Sequence, residues 1–132
     1  MIVTEDDADL RDVLVEALRQ QGYDPISATT LEQVQDALGA CADDVLLLDL
    51  ELGAQSGLYW LHTLCALGTR PRTVILSGRP EARTLAQRLG VGFLEKPFAL
   101  ESLCEAVQRA TACDERPSYG AIREIVVASK SR

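Results

Sequence analysis

Residues 44–50 read DVLLLDL, and this stretch decides the fold. Val45–Leu48 is an unbroken apolar run, as in a strand covered on both faces. It ends on Asp49, where a carboxylate without a partner would be costly. Upstream, Met1–Thr4 is a short β-prone run ending on Glu5, Asp6 and Asp7. Leu10, Val13, Leu14, Ala17 and Leu18 follow at helical spacing, with Gly22 where a C-terminal cap belongs. Ile26–Ala28 reads as a weak second strand. Thr30 suits the cap of a second helix with Leu31, Val34 and Leu38 inside, closing at Gly39. Downstream, a loop with Gly53 and Gly57 leads into a helix to about Leu67 whose inner positions are Leu61, Leu64 and Cys65. Thr73–Ser77 (TVILS) is the fourth strand. Pro80 suits the first turn of a fourth helix with Ala82, Leu85, Ala86 and Leu89 inside. Val91–Glu95 is the fifth strand, ended by Lys96-Pro97, and Leu100, Leu103, Cys104 and Val107 mark a fifth helix to about Ala110. Strands alternating with helices of this kind predict an α/β fold, a doubly wound parallel sheet with helices on both faces.

The chain has 132 residues, with 20 Asp plus Glu against 13 Lys plus Arg and a formal net charge of -7. That length suits one domain with a core of its own. A strongly acidic surface predicts no direct grip on nucleic acid or on an anionic membrane. No apolar stretch approaches the ~20 residues of a membrane span. The opening MIVTEDDADLR does not read as a signal peptide, which makes the cytoplasm the expected location. Residues 111–132 fall outside the repeating pattern. There Arg116, Arg123, Lys130 and Arg132 offset Asp114, Glu115 and Glu124, so the acidity belongs to residues 1–110. Ile122, Ile125 and Val126 fit a helix face, yet EIVVAS fits a strand equally well. Cys41, Cys65, Cys104 and Cys113 form no C-x-x-C pair, and His62 is the lone histidine, so free thiols rather than a zinc site are expected.

Ligands of a parallel sheet bind beyond the carboxyl ends of its strands. The first strand ends in Glu5-Asp6, the third in Asp49, the fourth in Ser77 and the fifth in Lys96. Three carboxylates, a hydroxyl and an ammonium therefore converge on one rim. Two like charges about 4 Å apart repel by roughly 4 kcal/mol at an effective dielectric near 20, so such a cluster calls for a cation. All-oxygen donors describe Mg²⁺ better than zinc or copper. With that charge offset, one carboxylate is free to attack a phosphorus centre, with Lys96 and Ser77 available to its oxygens. Each residue also has an ordinary reading, since acidic pairs often open helices and Asp6 or Asp7 would serve as an N-cap.

VTEDDADLR, DVLLLDLELGAQSG, VILSG and FLEKPF together resemble the signature regions of response-regulator receiver domains of two-component signalling, of CheY-like type, over residues 1–110. The resemblance implies the flavodoxin-like strand order 2-1-3-4-5, with residues 111–132 as a tail or linker. It implies that Asp49 is the phosphoacceptor, served by a sensor histidine kinase or a phosphotransfer protein. Mg²⁺, or Mn²⁺, would be held by Glu5, Asp6, Asp49 and the backbone carbonyl of Glu51. Ser77 and Lys96 would bind the phosphoryl group, and Phe93 would be the aromatic switch read by a downstream protein target. The Lys96–Pro97 bond would be cis. Glu51 and Arg79, each two residues beyond a site residue, would flank the water that removes the phosphoryl group and tune its loss. The chain departs from the family pattern in using Glu at position 5, in lacking a Tyr hydroxyl at position 93, and in a shortened stretch from Ser77 to Phe93. The last departure predicts an abbreviated fourth helix or leading loop. A homodimer is compatible with this reading. The competing expectations are an unphosphorylated pseudo-receiver scaffold, a haloacid-dehalogenase-type phosphohydrolase and an FMN carrier. The phosphohydrolase usually has a second Asp at position 51, and the FMN carrier needs a phosphate loop where this chain has carboxylates.

Overall fold

The computed structural model describes residues 1–40, 44–52 and 55–130. Five strands form one parallel sheet: β1 (Ile2–Thr4), β2 (Ile26–Ser27), β3 (Val45–Asp49), β6 (Arg72–Ser77) and β7 (Gly92–Glu95). Their order is β2-β1-β3-β6-β7, which is 2-1-3-4-5 when only the sheet strands are counted. The loop expected after Asp49 contains a small antiparallel hairpin, β4 (Glu51–Leu52) with β5 (Gln55–Ser56). Gly53 lies outside the described residues.

The helices are α1 (Ala8–Gln20), α2 (Leu31–Ala40), α3 (Gly57–Ala66), α4 (Ala82–Leu89), α5 (Leu100–Ala112) and α6 (Tyr119–Lys130). Asp7 caps α1, accepting from the amides of Asp9 and Leu10. Helix α2 runs through Gly39, where it was expected to close; with nothing within 4 Å of a Cβ built at this glycine, the residue is placed without crowding. Pro80 sits in the turn ahead of α4 rather than in the helix, whose N-cap Glu81 makes no side-chain capping bond. The other end of α4 closes on Gly90 in the left-handed region.

Strand alternation divides the core into two layers. Ile2, Leu46, Leu48 and Ile75 face Val34, Leu38, Trp60, Leu61, Leu64, Ala86 and Leu89, from α2, α3 and α4. Val3, Leu47, Val74 and Leu76 face Leu14, Leu18, Leu103 and Val107, from α1 and α5. Trp60 belongs to the first of these layers and is buried.

Residues 119–130 form a helix rather than a strand. To reach it, the chain leaves the α5 layer and crosses the start of β6. Thr73 N donates to the Glu115 carbonyl at 3.0 Å, and Ser118 N donates to Leu89 O at 2.9 Å. Asp114, at φ 50°, accepts from Arg72 Nε and Arg116 Nε at 2.9 and 2.8 Å. Those two guanidiniums hold its carboxyl below the usual value. Arg70 and Arg116 each bond a carbonyl across the same crossing. Helix α6 then covers the seam between α3 and α4, burying Ile122 completely and setting Tyr119 5.9 Å from the His62 ring. Burial of a side chain of that size contributes about 1.5–3 kcal/mol. Of the cysteines described, Cys65 is buried, Cys104 half-buried and Cys113 exposed, all as free thiols; burial pushes the Cys65 thiol up, against the nearby Arg70. Cys41 lies outside the described residues.

Candidate functional site

The ends of β1, β3, β6 and β7 meet at one rim. Asp49 is 1% exposed and is the last residue of β3. Its position is fixed from below by Thr4, a fully buried residue that sequence reasoning passed over. The Thr4 hydroxyl donates to Leu47 O at 2.9 Å and accepts from Asp49 N at 3.3 Å, tying the ends of β1 and β3 together. A lone hydroxyl inside the apolar run Ile2–Thr4 was the available signal. From above, Asp49 Oδ1 accepts from Glu51 N at 3.0 Å, and Oδ2 accepts a longer bond from Asp6 N at 3.4 Å.

Lys96 reaches into this pocket from the end of β7. Its ammonium is 2.8 Å from Glu5 Oε2, 3.1 Å from Glu5 Oε1 and 3.4 Å from Asp49 Oδ2. One cation thus lies between two buried carboxylates. The Lys96–Pro97 peptide bond is cis. Burial pushes the Glu5 carboxyl above its ordinary value, Lys96 pulls it back through a hydrogen bond, and the neighbouring Asp49 charge pushes it up again, for a net rise. For Lys96, burial acts downward, but the hydrogen bond to Glu5 and the two carboxylate charges outweigh it and raise the ammonium.

Between the ordinary glutamate value and the raised folded value, the folded chain holds a proton at Glu5 that the unfolded chain has lost. Stability therefore falls as pH rises through that window. The Lys96 contribution is fully present below the ordinary lysine value and disappears as pH rises through the raised one. With chelator present, the stability of wild type relative to Glu5→Gln should decrease as pH climbs through the Glu5 window. A difference independent of pH, measured by urea unfolding, would contradict this.

Ser77, fully buried at the end of β6, donates through Oγ to Glu51 Oε1 at 2.9 Å and accepts from Arg79 N at 3.0 Å. Arg79 Nε lies 3.3 Å from the same Glu51 oxygen. Phe93 is half-buried on β7, and Arg83 of α4 sits over its ring at 5.0 Å from the centroid. Neither the Glu51–Ser77 bond nor the Arg83–Phe93 contact was legible in sequence, because each depends on how far a side chain reaches between elements that periodicity does not place relative to one another. A groove of about 820 Å³ opens between the hairpin and α4, lined by Leu50, Glu51, Leu58, Arg79 and Leu85 among others.

The donor set suits a hard cation: it is all oxygen, and Glu5 Oε2 is buried without an aligned hydrogen bond although it faces the Lys96 charge. The carboxylates are not arranged as a ready-made metal cluster, however. Among the described residues no three His, Cys, Asp or Glu side chains form such a group. Glu5 is turned onto Lys96, and Asp6 is exposed. Also among the described residues, no helix is long and apolar enough to cross a membrane.

Comparison with known proteins agrees with this geometry. The response regulator receiver domain family matches residues 1–108. The transcriptional regulatory protein YxdJ of Bacillus subtilis is 30% identical over 103 residues, covering 76% of this chain and 45% of that protein. The phosphate regulon transcriptional regulatory protein PhoB of Escherichia coli is 29% identical over 131 residues, covering 96% of this chain and 56% of that protein. The chain thus spans about half the length of these relatives. Among solved structures, the receiver domain of NtrX from Brucella abortus superposes with a TM-score of 0.72 at 25% identity, covering 84% of this chain and 97% of that one. With the five-stranded parallel sheet in the order described, the chain belongs to the response regulator receiver domain family, the signalling domain of two-component systems.

Proposed function

We propose that this domain is a phosphoacceptor in which Asp49 takes a phosphoryl group from a phosphohistidine on a sensor kinase or phosphotransfer protein. The observation that carries the reading is the buried Asp49 carboxylate at a strand end, 3.4 Å from the Lys96 ammonium, with Ser77 on the adjoining strand. An oxygen of Asp49 attacks phosphorus in line, the phosphorus–nitrogen bond of the donor breaks, and an acyl phosphate remains on the aspartate. Lys96 pairs with the phosphoryl oxygens and the Ser77 hydroxyl donates to another. Asp6, Asp49 and the Glu51 carbonyl would hold Mg²⁺ or Mn²⁺, with Glu5 joining when released from Lys96. The bound ion supplies positive charge against the phosphoryl oxygens.

The read-out follows from the same contacts. Movement of Ser77 toward the phosphoryl group pulls the segment ahead of α4, and Phe93, clasped by Arg83, turns with it. A downstream protein then meets a different population of surfaces. This work takes place in the cytoplasm, without direct nucleic-acid contact by this domain; a homodimer is one form the partner takes. Phe93 signals by packing alone, having no hydroxyl. Residues 1–110 form the receiver, and the tail of residues 111–132 contributes the docked helix α6. Arg79, paired with Glu51 at the rim, screens the approach of hydrolytic water. Arg79→Ala is expected to shorten the lifetime of the phosphorylated form several-fold at most, since exposed pairs are worth about 0–1 kcal/mol; an unchanged decay rate removes that role.

The test is incubation with Mg²⁺ and acetyl phosphate. Intact mass should rise by one phosphoryl group, the label should map to the peptide containing Asp49, and hydroxylamine should remove it as it removes acyl phosphates. Absence of any mass gain would favour the pseudo-receiver, and sustained turnover of phosphate monoesters the phosphohydrolase.

A further inference from the structure

The carboxylate of Glu51 occupies a position that the phosphoacceptor reading leaves unexplained. Glu51 N is bonded to Asp49 Oδ1 at 3.0 Å, so the backbone of residue 51 is pinned to the nucleophile itself. From there its side chain reaches across to β6, where one oxygen, Oε1, takes the Ser77 hydroxyl at 2.9 Å and faces Arg79 Nε at 3.3 Å. A serine hydroxyl has a single proton to donate. Here that proton is committed to an anion, and a charge-assisted bond of this kind is roughly twice as strong as a neutral one. Ser77 is fully buried, so water does not offer an alternative acceptor.

We propose that Glu51 is a built-in anionic placeholder: its carboxylate, paired with Arg79, holds the Ser77 hydroxyl until a phosphoryl group on Asp49 takes that hydroxyl from it. The inference rests on the phosphoacceptor reading and adds to it a barrier set by a residue outside the reacting atoms. A phosphoryl group on Asp49 and the Glu51 carboxylate cannot both take the one Ser77 proton. Uptake therefore requires Glu51 to let go, and Glu51 acts as a positioning residue through Ser77. This role belongs to the unphosphorylated state, and so is separate from any effect of the Glu51–Arg79 pair on hydrolysis.

The experiment measures the rate of phosphoryl uptake by the full chain from acetyl phosphate with Mg²⁺. Glu51→Ala is expected to accelerate uptake roughly three- to tenfold, since a charge-assisted bond is removed. Glu51→Asp keeps the charge but loses the reach, and is expected to accelerate it as well. Glu51→Gln keeps a weaker acceptor and should fall between wild type and Glu51→Ala. Simple charge repulsion of the phosphodonor predicts another order, with Glu51→Gln as fast as Glu51→Ala and Glu51→Asp as slow as wild type; that order would overturn the placeholder. Combining variants separates the two again. In a Ser77→Ala background the slower reaction should gain nothing from Glu51→Ala, and an undiminished gain there would likewise overturn it. Thermal unfolding of each variant guards against misfolding. If wild type itself takes up no phosphoryl group, the phosphoacceptor reading fails first.

Discussion

Asp49→Asn is expected to take up no phosphoryl group from acetyl phosphate while remaining folded. The amide oxygen is a poor nucleophile, and the neighbouring carboxylates are engaged elsewhere, Glu5 on Lys96 and Glu51 on Ser77 and Arg79. The structural cost is bounded by the contacts of the native side chain. Oδ1 accepts from Glu51 N and Oδ2 from Asp6 N, the second bond being long at 3.4 Å. An Asn keeps one acceptor, aimed best at Glu51 N, and turns an NH2 toward Asp6 N and Lys96. The lost bond costs about 1–3 kcal/mol. Against this, the Asp49 charge that pushes Glu5 up is gone, and Lys96 keeps its shorter contact with Glu5 while giving up the longer one to Asp49. The Asp49→Asn chain should therefore unfold close to wild type at neutral pH, and its Glu5 should titrate lower. Mass spectrometry and a thermal melt on one sample decide both halves. Phosphoryl uptake by the variant would remove Asp49 from its role.

Gly57→Ala is the substitution expected to do most damage to the fold for the least added volume. Gly57 is the first residue of α3, with its N–H bonded to Leu50 O at 3.0 Å. A Cβ there would run into the carbonyl oxygen of Asp49 and lie 3.0 Å from Leu50 Cα. Both obstacles are backbone, so no side chain can rotate away. Either α3 lifts from the sheet or the end of β3 moves, and the second displaces the nucleophile. Overpacking typically costs 1–3 kcal/mol, and a rigid backbone neighbour places this case at about 3 kcal/mol or more. Urea unfolding should show the loss, and phosphoryl uptake should slow in the fraction that remains folded. Wild-type behaviour in both would mean that α3 has slack at its first turn.

The parts of this molecule that could be read in one dimension are those governed by local period. The run Val45–Leu48 announced a strand buried on both faces, and the strand ends named Asp49, Ser77 and Lys96 as neighbours because parallel strands place their carboxyl ends together. What escaped were relations set by distance in space. Whether Ile122, Ile125 and Val126 lie on a helix or a strand depends on a surface to cover, and that surface is the α3–α4 seam. The Glu5 side chain, counted with Asp6 as a metal donor, lies instead on Lys96, ninety-one residues away, because the ammonium is the nearest charge that offsets its burial. Thr4 counted only as the last residue of a short β-prone run, whereas its hydroxyl ties β1 to β3.

Helix α4 is secured unequally along its eight residues. At its far end the Leu89 carbonyl is held by Ser118 N, Gly90 closes the last turn, and α6 lies alongside. Its near end, beside Ser77, begins on Glu81 without a side-chain cap. On the proposed switch, a rod clamped at one tip would pivot rather than slide, so a pull from Ser77 would convert into tilt about the Leu89 end.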